Sequence, residues 1–168
     1  MAQLSAHGIS VETPPGWEGR IFRRRQHGEV ASASAVGAAA PAGELTFPVV
    51  HVATIPLPSE VADYASDAVT ELGPGDSIVV VKEFAPANAQ QALFAAGGIP
   101  RVLDADAFAP GALQRLVAGQ AGLQRFGHEN GRAFCVYVVL GGYGNRHQVV
   151  PGVNAVLGSL RIDPLPGT

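Results

Sequence analysis

The segment from Leu123 to Leu140 constrains this chain more than any other. At its centre stands Asn130-Gly131, and both residue types tolerate the positive φ that a type I′ hairpin turn requires. The strand that follows, Ala133 to Leu140, is apolar at odd and even positions alike. Side chains alternate between the two faces of a strand, so both faces of this one must be covered. It therefore belongs in the interior of a sheet with a layer on each side. The single cysteine, Cys135, lies within it, which predicts a buried, reduced thiol and leaves no internal disulfide.

Other elements follow from periodicity. Ile9, Val11 and Thr13 alternate with polar residues and predict a half-buried strand. Pro14-Pro15-Gly16 breaks it, Trp17 sits in the connection as a packing anchor, and Gly19 to Arg25 returns as a second strand. Val30 to Val36 reads as a short strand, residues 37–43 as a mobile loop, and Phe47 to Ile55 as the next strand. In Ser59 to Leu72, the positions Val61, Tyr64, Ala65, Ala68, Val69 and Leu72 form one apolar helical stripe, with Ser59 as cap and Glu60 in the first turn. Ser77 to Phe84 is a strand with a continuous apolar centre. Asn88 to Ala96 and Gly111 to Val117 read as short helices. Val149 to Leu157 reads as a closing helix that tolerates Pro151 in its first turn, before a short extended stretch at Leu160 to Asp163 and a tail at 164–168. Neighbouring strands joined by tight turns predict an α+β fold: a mostly antiparallel sheet of about six to seven strands, flanked by helices on both faces. At 168 residues, one domain is expected.

Composition narrows the function. Hydrophobic residues make up 47% and charged residues only 15%, a surface poor enough in charge to suggest that a protein partner or a second copy covers part of it. The net charge of −3 argues against nucleic acid. No basic, apolar leader opens the chain, and no apolar run approaches the ~20 residues that cross a bilayer, so a cytoplasmic protein without a membrane role is expected. The richness in Ala, Gly and Pro is the style of a high-GC bacterium.

Two segments resemble a known family. Gly8 to Trp17 (Gly-Ile-Ser-Val-Glu-Thr-Pro-Pro-Gly-Trp) is similar to the opening strand and P-x-G-W turn of the PsbP/Mog1-like fold, and Val153 to Ile162 is similar to that family's closing helix and exit strand. The resemblance implies an antiparallel sheet sandwiched between helices, and membership among mostly non-enzymatic accessory subunits and adaptors. The chain lacks the lipoprotein signal, thylakoid transit peptide and acidic surface segment of better-known members, so their individual activities are not implied.

The chemistry-bearing residues point the same way. None of the five histidines stands three or four positions from another metal-ligating residue on a predicted helix, so no metal or other cofactor is expected. There is no Gly-x-Ser-x-Gly elbow, and a buried Cys135 is a poor nucleophile, so no catalytic residue is assigned. Asp104 and Asp106 read as acidic turn residues. Arg20, Arg23, Arg24 and Arg25 form the one basic cluster, with alternation sending Arg23 and Arg25 to one face and Arg24 to the other. With Trp17 they are the candidate partner-binding residues. Tyr143, Arg146 and His147, in the glycine-rich 141–147 loop between a strand and a helix, are the candidate ligand-binding residues. The expected function is a non-catalytic adaptor or accessory subunit. The alternative is a small-ligand or anion binder that uses the 141–147 loop.

Overall fold

The computed structural model describes residues 1–25, 46–59 and 62–167. The expected strand Val30 to Val36, the expected loop at 37–43, and Glu60 and Val61 lie outside the described residues. The architecture is α+β, with two antiparallel sheets flanked by helices. The eight described strands divide between a sheet of three and a sheet of five instead of lying in one.

The five-stranded sheet has the order β3 (Glu18–Phe22), β4 (Val49–Ala53), β5 (Ser77–Phe84), β7 (Arg132–Leu140), β6 (Ala121–Glu129). The β6–β7 hairpin turns at Asn130-Gly131, with φ of 52° and 74°, as a type I′ turn demands. All nine residues of β7 are buried, and the strand is paired on both sides. One face of the sheet, through Val50, Val52, Val79, Val81, Val136 and Val138, packs beneath the closing helix α2 (Arg146–Ser159) and the small sheet. The other face, through Ile78, Val80, Cys135, Tyr137 and Val139, is covered by α1 (Ser66–Thr70) and its flanking loops.

The small sheet has the order β1 (Ala2–Ala6), β2 (Ile9–Thr13), β8 (Arg161–Ile162). It unites the two family-like segments, because Ile9 pairs with Ile162 and Ser10 with Arg161. Ser159 Oγ also accepts the Glu12 backbone N–H at 2.9 Å. β1 has no counterpart among the expected strands. Its turn, His7-Gly8 with φ of 55° and 72°, is a second type I′ hairpin that the His-Gly pair does not announce as clearly as Asn-Gly does.

All four expected helices differ in extent or type from expectation. The Ser59 to Leu72 stripe is helical only over Ser66–Thr70, because Ala65 adopts the left-handed conformation (φ 53°) and ends regular helix on its N-terminal side. Residues Asp63 and Tyr64 are held by tertiary contacts, and these override helical propensity. Ser59 is therefore not the cap, although Ala65, Ala68, Val69 and Leu72 are buried as the stripe requires. Asn88 to Ala96 forms two 3₁₀ turns, Pro86–Gln90 and Ala92–Phe94, in which only Phe94 is buried; a segment with a single anchored side chain gains too little from packing to support an α-helix. Gly111 to Val117 contains turns and bends only. The closing helix starts earlier than expected, at Arg146, which places Pro151 inside it and removes the N–H that would bond the His147 carbonyl.

Candidate functional site

The most heavily buried charges mark one end of the five-stranded sheet. Glu83 of β5 and Arg132, the first residue of β7, each keep only 2% of their side-chain surface exposed. A charge inside a strand that is otherwise buried needs an opposite charge and filled hydrogen-bond positions. Arg132 has both. Its Nε and Nη2 donate to the two Glu83 carboxylate oxygens at 2.9 and 2.7 Å. Nη1 donates to the Gly8 and Asp163 carbonyls, and Nη2 also donates to the His7 carbonyl. All five guanidinium N–H groups are thereby engaged. One side chain ties the β1–β2 turn and the C-terminal segment to the middle of the large sheet.

A groove of about 460 Å³ opens over this pair. One wall is Phe47-Pro48, held where the Pro48 carbonyl accepts the Glu83 N–H at 3.0 Å; the other is Pro164-Leu165-Pro166, which follows the anchored Asp163. Its lining is mostly apolar, and Phe47 leaves 39% of its surface exposed, while Arg23 and His7 contribute polar groups. Sequence inspection singled out neither Arg132 nor Glu83. The available signal was a glutamate within a strand apolar around it and an arginine heading the most apolar strand.

The arginine cluster separates as alternation requires. Arg23 lines the groove and donates through Nε to the Thr46 carbonyl at 2.7 Å. Arg24 turns to the opposite side and meets Asp63 at 2.7 Å. Arg20 donates to the Pro58 carbonyl at 2.8 Å, and Arg25 is exposed. Trp17 is half-buried against α2, where a Cβ at Gly152 would come within 2.9 Å of the indole. Of the five candidate partner-binding residues, only Arg23 lines the groove.

Arg24 belongs to an internal network on the α1 side of the sheet. Asp63 receives Arg24 on one oxygen and Lys82 on the other, each at 2.7 Å. Burial works against the Asp63 carboxylate, but the bonds from Lys82 and Arg24 outweigh it and hold its pKa below the ordinary value. Lys82 also lies 5.1 Å from the ring centres of Tyr64 and Phe84. His51 of β4 is buried against the edge of Phe22, and its Nε2 is 3.2 Å from the Asp63 carbonyl. A carbonyl only accepts, so Nε2 carries the proton. Burial, reinforced by the Arg20 charge, drives the His51 pKa down to about 4, despite opposing contributions from Asp63. Burial also pushes the Cys135 thiol up to about 11 and Tyr64 up to about 12. At neutral pH the His51 imidazole is uncharged and the Cys135 sulfur is a thiol, not the thiolate that nucleophilic chemistry needs.

The third cluster is built around Asp106. Its Oδ1 accepts from Arg146 Nε and Nη2 at 3.2 and 3.1 Å and lies 3.2 Å from His147 Nε2. The Arg146 guanidinium stacks 4.4 Å from the centre of the Tyr143 ring. Residues 143–145 form a 3₁₀ turn leading into α2, so Arg146 and His147 occupy the first helical turn and not a loop. Asp106 itself sits in a short 3₁₀ turn capped by Asp104, whose side chain accepts the Asp106 N–H at 2.8 Å. The Asp106–Arg146 contact joins residues forty positions apart, and nothing local in the sequence announces it.

Among the described residues, no three His, Cys, Asp or Glu side chains are grouped to hold a metal ion, and no helix is long and apolar enough to cross a membrane. No family model, curated protein or solved structure matches the chain.

Proposed function

We propose that this protein is a non-catalytic adaptor or accessory subunit and that the groove between Phe47-Pro48 and Pro164-Leu165-Pro166 receives a segment of its protein partner. The observation that carries this reading is an open, mostly apolar cleft over a fully bonded floor: the Glu83 N–H ties the Phe47-Pro48 wall, and Arg132 ties the segment that leads into Pro164-Leu165-Pro166. Preorganised apolar clefts with a few oriented polar groups are where extended peptide segments dock at the smallest entropic cost. The resemblance of both chain ends to PsbP/Mog1-like adaptors supports the same class. The test is a photo-reactive benzoylphenylalanine at position 47, irradiated in cells of the source organism, with the same group at the exposed position 116 as control. A specific adduct is expected at 47 and not at 116. Equal labelling at both positions would remove the groove from the proposal.

A second reading places an anion on Tyr143, Arg146 and His147. In its favour, the cluster already gathers a stacked guanidinium and an imidazole on one carboxylate oxygen. An incoming phosphate must displace Asp106. Stabilisation by inorganic phosphate in a thermal-shift assay is therefore expected to grow in Asp106→Asn and vanish in Arg146→Ala. A flat response in the wild type and in Asp106→Asn would retire it.

A further inference from the structure

We propose that two copies of this chain associate through β1, edge to edge and antiparallel, so that their three-stranded sheets become one continuous sheet of six. Edge strands expose unpaired N–H and C=O groups, and proteins guard them with charge, proline, extreme shortness or a covering segment. The described edges differ sharply in this respect. β3 reads Glu-Gly-Arg-Ile-Phe and leads into Arg23 and Arg24. β6 carries Arg125 and Glu129; residues Ala109 and Gly97 bridge to it at Gly122 and His128. β8 is two residues long, one of them Arg161. β1 reads Ala-Gln-Leu-Ser-Ala, with no charge and no proline, and among the described residues it pairs with β2 alone.

Hairpin geometry identifies the groups on offer. Ala6 and Ile9 flank the two-residue turn and form a hydrogen-bonded pair, so bonding to β2 falls on Ala6, Leu4 and Ala2. The N–H and C=O groups of Gln3 and Ser5 therefore point away from β2. Side chains sort the same way: Leu4 packs on the core, and Gln3 and Ser5 are exposed on the outer face.

These features select a second copy as the occupant. An antiparallel pairing centred on Leu4 sets Gln3 opposite the partner's Ser5 and the reverse, closing four main-chain hydrogen bonds about a two-fold axis. Leu4 then faces its own symmetry mate beside the core, and Ala2 faces Ala6. No charged side chains meet between Ala2 and Ala6 in this register. The same operation on β3 would bring arginines together. None of the β1 residues lines the groove, so the two proposals are tested separately.

Analytical ultracentrifugation across a concentration series, with circular dichroism to verify folding, provides the test. The wild type is expected to show a reversible monomer–dimer equilibrium. Gln3→Lys with Ser5→Lys sets lysines against lysines and is expected to weaken dimerisation by at least about ten-fold. Gln3→Lys with Ser5→Glu sets each lysine against a glutamate in the Leu4-centred register and is expected to restore it. Ser5→Pro deletes an outward N–H that β2 does not use and is expected to dissociate the dimer while the hairpin stays folded. A wild type that stays monomeric at every concentration overturns the proposal. So does a dimer indifferent to the lysine pair and to Ser5→Pro, or one that the lysine–glutamate pair fails to restore.

Discussion

Arg132→Met is expected to lower the unfolding free energy by about 3–5 kcal/mol, the range for stripping one partner from a buried ion pair. The loss arises from what is left behind more than from the bond itself. Glu83 is left buried with its paired cation gone, the His7 and Asp163 carbonyls lose the guanidinium donor, and the Gly8 carbonyl keeps only the Asp163 N–H. Urea denaturation of wild type and variant provides the number. The double variant Arg132→Met with Glu83→Leu removes the stranded charge and is expected to recover part of the loss. Full recovery is not expected, because the His7 and Asp163 carbonyls stay without the guanidinium donor. Hydrogen exchange offers a second readout: amides around residues 7–8 and 163–166 are expected to exchange faster, since Arg132 is what binds these segments to β5 and β7. A variant within about 1 kcal/mol of wild type would contradict the role given to the pair.

The second large effect is acid sensitivity centred on His51. Its pKa in the fold is about 4 against an ordinary 6.5, so between those values the unfolded chain binds a proton that the native state refuses. Stability therefore falls as pH drops from 6.5 towards 4, by about 3 kcal/mol in total, and this contribution is fully present only above pH 6.5. Asp63 acts in the same direction at lower pH. Its pKa is depressed by Lys82 and Arg24, so its contribution holds above the ordinary carboxylate value and is lost as pH falls through the folded one. Equilibrium unfolding at a series of pH values is expected to show a slope from 6.5 to 4 and a further decline below it. His51→Gln keeps a donor for the Asp63 carbonyl without a titrating group, and is expected to flatten the first slope while leaving the second. An unchanged slope in that variant would mean that another group is responsible.

Legibility of the fold and of the candidate site differed for physical reasons. Turn chemistry is local, and Asn130-Gly131 announced the β6–β7 hairpin because two adjacent residues must both accept positive φ. Strand burial is nearly as local: the unbroken apolar run of β7 required two covered faces, and Ser77–Phe84 was legible end to end. The stripe from Ala65 to Leu72 correctly marked which side chains face the core. It overstated the helix because nothing in it shows that Asp63 is claimed by Arg24 and Lys82. β1 was missed for a related reason. Ala-Gln-Leu-Ser-Ala has weak strand propensity, and it becomes a strand by pairing with β2.

The amino-acid sequence by itself determined the class of this protein: an α+β fold with antiparallel strand pairing, a doubly covered strand carrying the thiol, one tight hairpin and a closing helix. All of these rest on interactions between residues close along the chain, or on the plain need to bury apolar side chains. Tertiary structure alone decided which charges meet. Arg132 finds Glu83, Arg24 finds Asp63 and Arg146 finds Asp106 across separations of about forty to fifty residues. Charge pairing depends on distance in space and carries no periodicity, so only the folded chain could divide the arginine cluster between an internal network and an open groove.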